Sequence, residues 1–227
     1  IVYLPFAAIP PTTDVTDCYD NIVLPAPPTV TDNCDVELTP TGPVESTVPE
    51  CEGDITYTWT YTDCASNTQD YVHTVSIIYQ PFPAIAPTSE TVDCYASIVL
   101  PAPPTVTDNC DVELTPAGPV ESAVPECEGD VTYTWTYTDC AGNAQEYVHT
   151  VTIDMPDFTP PPDDGITVNC PDEALVPPTT PQVNDFCGEP ISPTLVAAPT
   201  SVECEGPMEW VYNYTDCAGN SHDWTYT

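Results

Sequence analysis

Twelve cysteines are the residues with the most chemistry to offer: Cys18, Cys34, Cys51 and Cys64, then Cys94, Cys110, Cys127 and Cys140, then Cys170, Cys187, Cys204 and Cys217. They fall four to a repeat, evenly spread and with no C-x-x-C pair. That spacing suits disulfides rather than a zinc centre, whose thiolates usually come from closely spaced pairs. Disulfides at this density persist in an oxidising compartment, so the chain is expected to be extracellular or on a cell surface.

A second group of candidate ligands recurs at one end of each repeat: Asp32, Asp35, Asp63 and Asn67, then Asp108, Asp111, Asp139 and Asn143, then Asp185, Asp216 and Asn220. Oxygens converging from two loops would suit calcium, which accepts carboxylates and carbonyls in flexible geometry. The spacing matches no dedicated calcium loop, and the plainer reading is that these side chains close Asx turns on their own backbone. No other cofactor is expected. His73 and His149 hold equivalent strand positions, but Tyr226 takes that place in the third repeat. A general base or metal ligand is not exchanged so freely, and both read as ordinary strand residues. Acidic pairs recur in every repeat, and no nucleophile elbow, HExxH or phosphate loop is present. Catalysis needs a singular pocket, so the chain is expected not to be an enzyme. Trp59, Trp135, Trp210 and Trp224 would serve either as sugar-stacking rings or as core.

The elements that position these groups repeat as well. In Tyr57-Thr58-Trp59-Thr60-Tyr61-Thr62 aromatic residues alternate with threonine, the period-two pattern of a strand with one buried face. Copies begin at Tyr133 and, more divergently, at Trp210, and each runs into an Asp-Cys-Ala-Ser/Gly-Asn turn signal. A second strand over Tyr71 to Ile78 completes a hairpin. Cys18, Cys94 and Cys170 lie 76 residues apart, and Ile22 to Pro40 recurs unchanged as Ile98 to Pro116, so the chain is a tandem array. Strands are expected over Asp14 to Cys18, Ile22 to Leu24, Val36 to Thr39 and Val44 to Val48, with Thr29 to Thr31 leading into the Asp32-Asn33-Cys34-Asp35 turn, giving about seven short strands per repeat with the hairpin, the number in an immunoglobulin-like sandwich. The fold class is all-β: a tandem array of three small disulfide-stapled immunoglobulin-like domains.

The expected divisions are 1–9, the last strand of a preceding repeat plus linker, then repeats over 10–80, 81–156 and 157–227. Ile1 to Phe6 aligns with Ile77 to Phe82, so either three repeats are cut from a longer polypeptide, or subunits join head to tail by donating a strand. Pro-rich joins at Pro5 to Pro11, Gln80 to Pro87 and Met155 to Pro162 act as semi-rigid spacers, with Phe6, Phe82 and Phe158 as wedges between domains.

Pairing of the cysteines follows from this layout. Cys51 and Cys64 bracket the aromatic strand and would stand about 40 Å apart if extended, against the ~6 Å between α-carbons that a disulfide allows. A sandwich of this order puts the Cys34 and Cys64 turns at one end and the Cys18 and Cys51 turns at the other. The expected bridges lie within each repeat: Cys18–Cys51 and Cys34–Cys64, Cys94–Cys127 and Cys110–Cys140, Cys170–Cys204 and Cys187–Cys217.

Charge limits the partners. The 227 residues include no lysine or arginine and 36 acidic residues, a formal charge of −36. No basic patch exists to hold phosphates, which excludes nucleic acid and anionic lipid. No apolar run approaches the roughly 20 residues of a membrane span, so no membrane insertion is expected in this segment.

Val168-Asn169-Cys170-Pro171, Asn184-Asp185-Phe186-Cys187-Gly188 and Tyr214-Thr215-Asp216-Cys217-Ala218-Gly219-Asn220 resemble the hyalin-repeat (HYR-like) immunoglobulin-type domains. The resemblance covers all three repeats and is closest to the cysteine-rich versions in giant surface adhesins of Bacteroidota, including gliding-motility adhesins. It implies a β-sandwich serving as a stalk or adhesive module on the cell exterior.

The reading is a non-enzymatic structural and adhesive repeat protein that forms a stiff rod, stalk or filament. Its partners are neighbouring repeats of the same polypeptide or head-to-tail copies of itself. The alternative is an array that binds glycans or surfaces through its loops, and a third is an array rigidified by calcium.

Overall fold

The computed structural model describes residues 4–200, 202 and 205–227. In the first repeat the long strands are β1 (Thr12–Thr16), β4 (Thr41–Glu45), β5 (Gly53–Thr62) and β6 (Thr68–Ile77), with a short pair formed by β2 (Val30–Thr31) and β3 (Glu37–Leu38). The four long strands make one sheet in the order β1-β6-β5-β4, with β1 parallel to β6 and the other pairs antiparallel.

The β5–β6 hairpin carries the core. Ile55, Tyr57, Trp59 and Tyr61 on β5 face inward with Tyr71, His73, Val75 and Ile77 on β6. Their register puts Trp59 opposite Tyr71, with ring centroids 5.3 Å apart, and Tyr57 opposite His73. Each ring withdraws roughly 150–250 Å² from water, so this aromatic face is the main apolar contribution to the fold. The threonines between them take the other face, where the Thr60 hydroxyl donates to Asp70 across the hairpin at 2.7 Å.

The second layer is thin. It consists of β2, β3 and the extended segment around Pro28, and the buried Tyr61 phenol ties it down by donating to the Pro28 carbonyl at 2.5 Å. Phe6, Ile9, Ile22, Val30, Leu38 and Tyr79 pack on the same cluster. Phe6 is thus part of the core of the repeat it precedes, where a wedge between domains was expected; Phe158 likewise joins Val183, Tyr214 and Trp224.

Strand β4 forms an edge, and its register slips by one residue between Thr41 and Val44. Gly42 has φ +115° there, and a β-carbon on it would lie 2.7 Å from the Thr58 carbonyl oxygen, so the bulge depends on glycine. Pro43, without an N–H, is tolerated in such a place.

The second repeat runs β7 (Thr88–Val92), β8 (Val106–Thr107), β9 (Glu113–Leu114), β10 (Ala117–Glu121), β11 (Gly129–Thr138) and β12 (Ala144–Ile153), with sheet order β10-β11-β12-β7. The third has β13 (Val183–Asn184), β14 (Pro190–Ile191), β15 (Thr194–Ala197), β16 (Trp210–Thr215) and β17 (Ser221–Tyr226). Its counterpart of β1 shrinks to a single parallel bridge between Asp164 and Tyr226. The chain is all-β and immunoglobulin-like, in three tandem repeats. Two compact units divide it: Ile1–Ile85 with Pro103–Gly118 and Trp135–Tyr147, and Ala86–Ala102 with Pro119–Thr134 and Val148–Thr227.

Several expected strands shift. The first strand ends at Thr16, and the strand near Val44 spans Thr41–Glu45. Ile22 to Leu24 form no strand. A single 3-10 turn over Tyr19–Asn21 precedes them, and Val23 is exposed, because Pro25, Pro27 and Pro28 leave too few amide donors for a ladder. Of the strand expected at Ile1 to Phe6, residues 1–3 lie outside the described residues, and Leu4, Pro5 and Phe6 are in no strand.

Candidate functional site

Eight of the cysteines are held by three kinds of turn. Cys18, Cys94 and Cys170 each cap a short 3-10 helix with nearly the same extended backbone, φ/ψ of −136/151°, −143/149° and −129/138°. Cys34 and Cys110 sit in loops closed by the aspartate two residues before: Oδ1 of Asp32 accepts the amides of Cys34 and Val36, and Oδ1 of Asp108 accepts those of Cys110 and Val112, at 2.8 and 3.0 Å in both. Cys64, Cys140 and Cys217 follow Asp63, Asp139 and Asp216, whose amides donate to the carbonyls of Asn67, Asn143 and Asn220 at 3.0 Å.

The bridges run between repeats. In the first unit Cys18 is bonded to Cys110 and Cys51 to Cys140; in the second Cys94 is bonded to Cys187 and Cys127 to Cys217. Their α-carbons are 5.6 to 5.7 Å apart, across sequence separations of 89 to 93 residues. This corrects the pairings expected within repeats: Cys18–Cys51, Cys94–Cys127, Cys110–Cys140 and Cys187–Cys217 are not formed. Cys34–Cys64 is not formed either, and both thiols are free and exposed, as is Cys170. Cys204 lies outside the described residues.

The physical reason is visible in the second unit, where Cys94, Cys127, Cys187 and Cys217 line one cavity of about 630 Å³. Cys94 and Cys127 do share an end of their repeat, but each has a closer partner in the following repeat than in its own. Each junction is therefore stitched twice.

The acidic set is brought together only locally. Asp32, Asp63, Asp108, Asp139 and Asp216 are buried, whereas Asp35 and Asp111 are exposed at φ 61°. Asp63 uses Oδ1 for the amides of Ala65 and Asn67, both at 2.8 Å, and Oδ2 for the Asn67 side-chain amide at 2.7 Å. Asp139 with Asn143 and Asp216 with Asn220 repeat the arrangement, and Asp185 accepts the Glu189 amide. The Asn67 amide, chief among these contacts, lowers the Asp63 pKa below the ordinary carboxylate value. Among the described residues no three His, Cys, Asp or Glu side chains gather as a metal centre requires.

His73 and His149 are buried where β1 meets β6 and β7 meets β12, with Nδ1 2.8 and 2.7 Å from the hydroxyls of Thr12 and Thr88. All four tryptophans are buried, so none offers an open ring to a sugar. One recurrent group escaped the sequence reading: Glu45 accepts from the phenols of Tyr19 and Tyr57, and Glu121 from those of Tyr95 and Tyr133. Its only signal was the shared spacing of these residues in the first two repeats.

The sequence matches the model of the HYR-like domain with 4 cysteines three times, over residues 6–77, 82–153 and 158–227. A comparison with curated proteins gives no match. Among solved structures, human CDH23 EC21-23 is similar at 11% identity and a TM-score of 0.26, covering 76% of this chain and 73% of that one. Mouse clustered PcdhgC3 EC1-3 gives 10%, 0.24, 79% and 76%. A Ca2+-stabilized adhesin with which an Antarctic bacterium binds ice gives 14%, 0.21, 76% and 55%. At these TM-scores the superpositions are too loose to carry a conclusion. Among the described residues no helix is long and apolar enough to cross a membrane.

Proposed function

Since this chain belongs to the family of HYR-like domains with four cysteines, we propose that it is a non-enzymatic, extracellular adhesive repeat protein whose task is to transmit tension as a stiff stalk or filament. One observation carries the reading: among the described residues, all four bridges join a repeat to the next one. A force applied at the two ends then has covalent shortcuts. One route passes from Cys18 to Cys110, back along the backbone to Cys94, and across to Cys187. The other passes from Cys51 to Cys140, back to Cys127, and across to Cys217. The shortest route combines them, crossing from Cys18 to Cys110, running forward to Cys127 and crossing to Cys217, and it leaves about a fifth of the backbone under load.

Bridges of this kind persist outside the cell. The formal charge of −36 suits a solvated surface that repels its own kind laterally, and burial of every tryptophan favours a stalk over a sugar-stacking platform.

Stretching a single chain by its ends tests this. At about 3.5 Å per residue along the shortest covalent path the oxidised chain should reach a contour length of roughly 160 Å and the reduced chain roughly 800 Å. Equal contour lengths before and after reduction would sink the reading, as would release in three separate domain-sized steps without reductant.

A further inference from the structure

The bridges obey one rule. The first cysteine of a repeat bonds to the second cysteine of the next, as in Cys18–Cys110 and Cys94–Cys187, and the third bonds to the fourth of the next, as in Cys51–Cys140 and Cys127–Cys217. Cys34, Cys64 and Cys170 are the described cysteines that this rule leaves over, and all three are free and exposed. We propose that they are half-bridges: Cys34 and Cys64 form the receiving face for a further four-cysteine repeat on the N-terminal side, and Cys170 is the donor to one on the C-terminal side. The proposal extends the tension-bearing reading and rests on it only for its purpose.

What points to this partner is that the corresponding residues are already bonded to such a repeat within the same molecule. Cys110 and Cys187, equivalent to Cys34, each hold a first-position sulfur; Cys140 and Cys217, equivalent to Cys64, each hold a third-position one. Cys170, equivalent to Cys18 and Cys94, lines an open groove of about 480 Å³ with Val168, Ala174 and Met208. At the corresponding face around Cys94, Tyr95 and Met155, the loop from Asp185 to Ile191 of the following repeat is seated. A partner of other chemistry would have to match both the cysteine positions and that loop.

Bond formation is a balanced exchange. Cys170 and Cys34 of a neighbouring repeat give up their two thiol protons and two electrons as the S–S bond forms, and a low-molecular-weight disulfide is cleaved to two thiols in return. The neighbouring repeat comes either from the same polypeptide or from a second copy of this chain.

The test uses the whole chain, with its four bridges intact, incubated with oxidised glutathione. The expected result is a ladder of multiples of the chain mass on non-reducing electrophoresis. Trypsin has no site in a chain without lysine or arginine, so digestion uses a protease that cuts at acidic residues. Mapping should then find Cys34 joined to Cys170. The Cys170→Ser variant should stay monomeric on the Cys34–Cys170 axis while keeping the four internal bridges and the wild-type melting temperature. Bonding of Cys34 to Cys64 or of Cys34 to Cys34, or a chain that keeps all these thiols alkylatable, would overturn the proposal. Mapping native material separates the sources. Reduction leaves the denatured mass unchanged if the partner repeat is in the same polypeptide, and divides it if copies are joined. Loss of the ladder with the stretched contour lengths as expected would remove this inference alone.

Discussion

Cys51 is bonded to Cys140 of the following repeat, with 5.7 Å between α-carbons and 89 residues of chain between them. With Cys18–Cys110 beside it, the bridge closes a covalent ring through two repeats. Opening one bridge while the other holds frees a loop of some tens of residues in the unfolded chain, which the chain-entropy account values at about 4 kcal/mol. The paired substitution Cys51→Ser with Cys140→Ser should lower the urea midpoint correspondingly and leave the other three bridges mappable. A midpoint within error of wild type would show that the bridge adds nothing to stability.

Tyr61 is fully buried, and its hydroxyl reaches the carbonyl of Pro28; Tyr214 makes the same bond to Pro181 at 2.7 Å. Removing only the hydroxyl leaves the ring in place, so Tyr61→Phe should cost about 1 kcal/mol. Trp59→Ala empties the centre of the aromatic face and should cost about 3–5 kcal/mol. Chemical denaturation of both variants checks the ratio. A Tyr61→Phe loss as large as that of Trp59→Ala would mean that the hydrogen bond, and with it the thin second layer, matters more than the rings.

The hairpin was legible because alternation of Tyr, Trp and Thr in β5 admits only one buried face, and Ile55, Tyr57, Trp59 and Tyr61 are all found on it. The Asx turns at Asp63 and Asp139 were legible from their Asp-Cys-Ala-x-Asn signal. The disulfide partners were not. Sequence placed Cys18 and Cys51 at one end of a repeat, but two cysteines at one end satisfy the distance limit either with each other or with the face of a neighbour, and nothing in a period of 76 residues distinguishes the two. The choice belongs to the packing of one repeat on the next, through Pro-rich joins whose direction local propensity does not set. The failure at Ile22 to Leu24 has a local origin: Pro25, Pro27 and Pro28, directly after the apolar run, leave too few amide donors for a ladder.

Tyr57 and Tyr133 have their pKa pushed up to about 12, first by burial and then by the carboxylates of Glu45 and Glu121. A phenol whose folded pKa exceeds its unfolded value stabilises the fold fully below the unfolded value near 10, and that contribution is lost as pH rises through the folded value. Stability should therefore fall between about pH 10 and 12, in step with the late part of a phenolate titration followed by ultraviolet absorbance. Glu45→Gln removes the charge beside Tyr57 and should move that part of the titration to lower pH. An unchanged profile would show that burial acts alone.

Asp63 engages both carboxylate oxygens within its own loop, through the amides of Ala65 and Asn67 and the Asn67 side chain. These donors favour the charged form and hold its pKa down, so the contribution is present above the unfolded carboxylate range and is lost as pH falls through the lower, folded value. Asp63→Asn replaces the acceptor facing the Asn67 amide with a donor unless the side chain turns, and then an acceptor is lost to the backbone instead. The variant should melt at lower temperature at pH 7, and the difference from wild type should shrink in acid. A calcium ion would have to displace these donors to reach the same oxygens, so adding calcium or a chelator should leave the wild-type melting temperature where it is. A rise with calcium that disappears in Asp63→Asn would show instead that the loop exchanges its own amides for the ion.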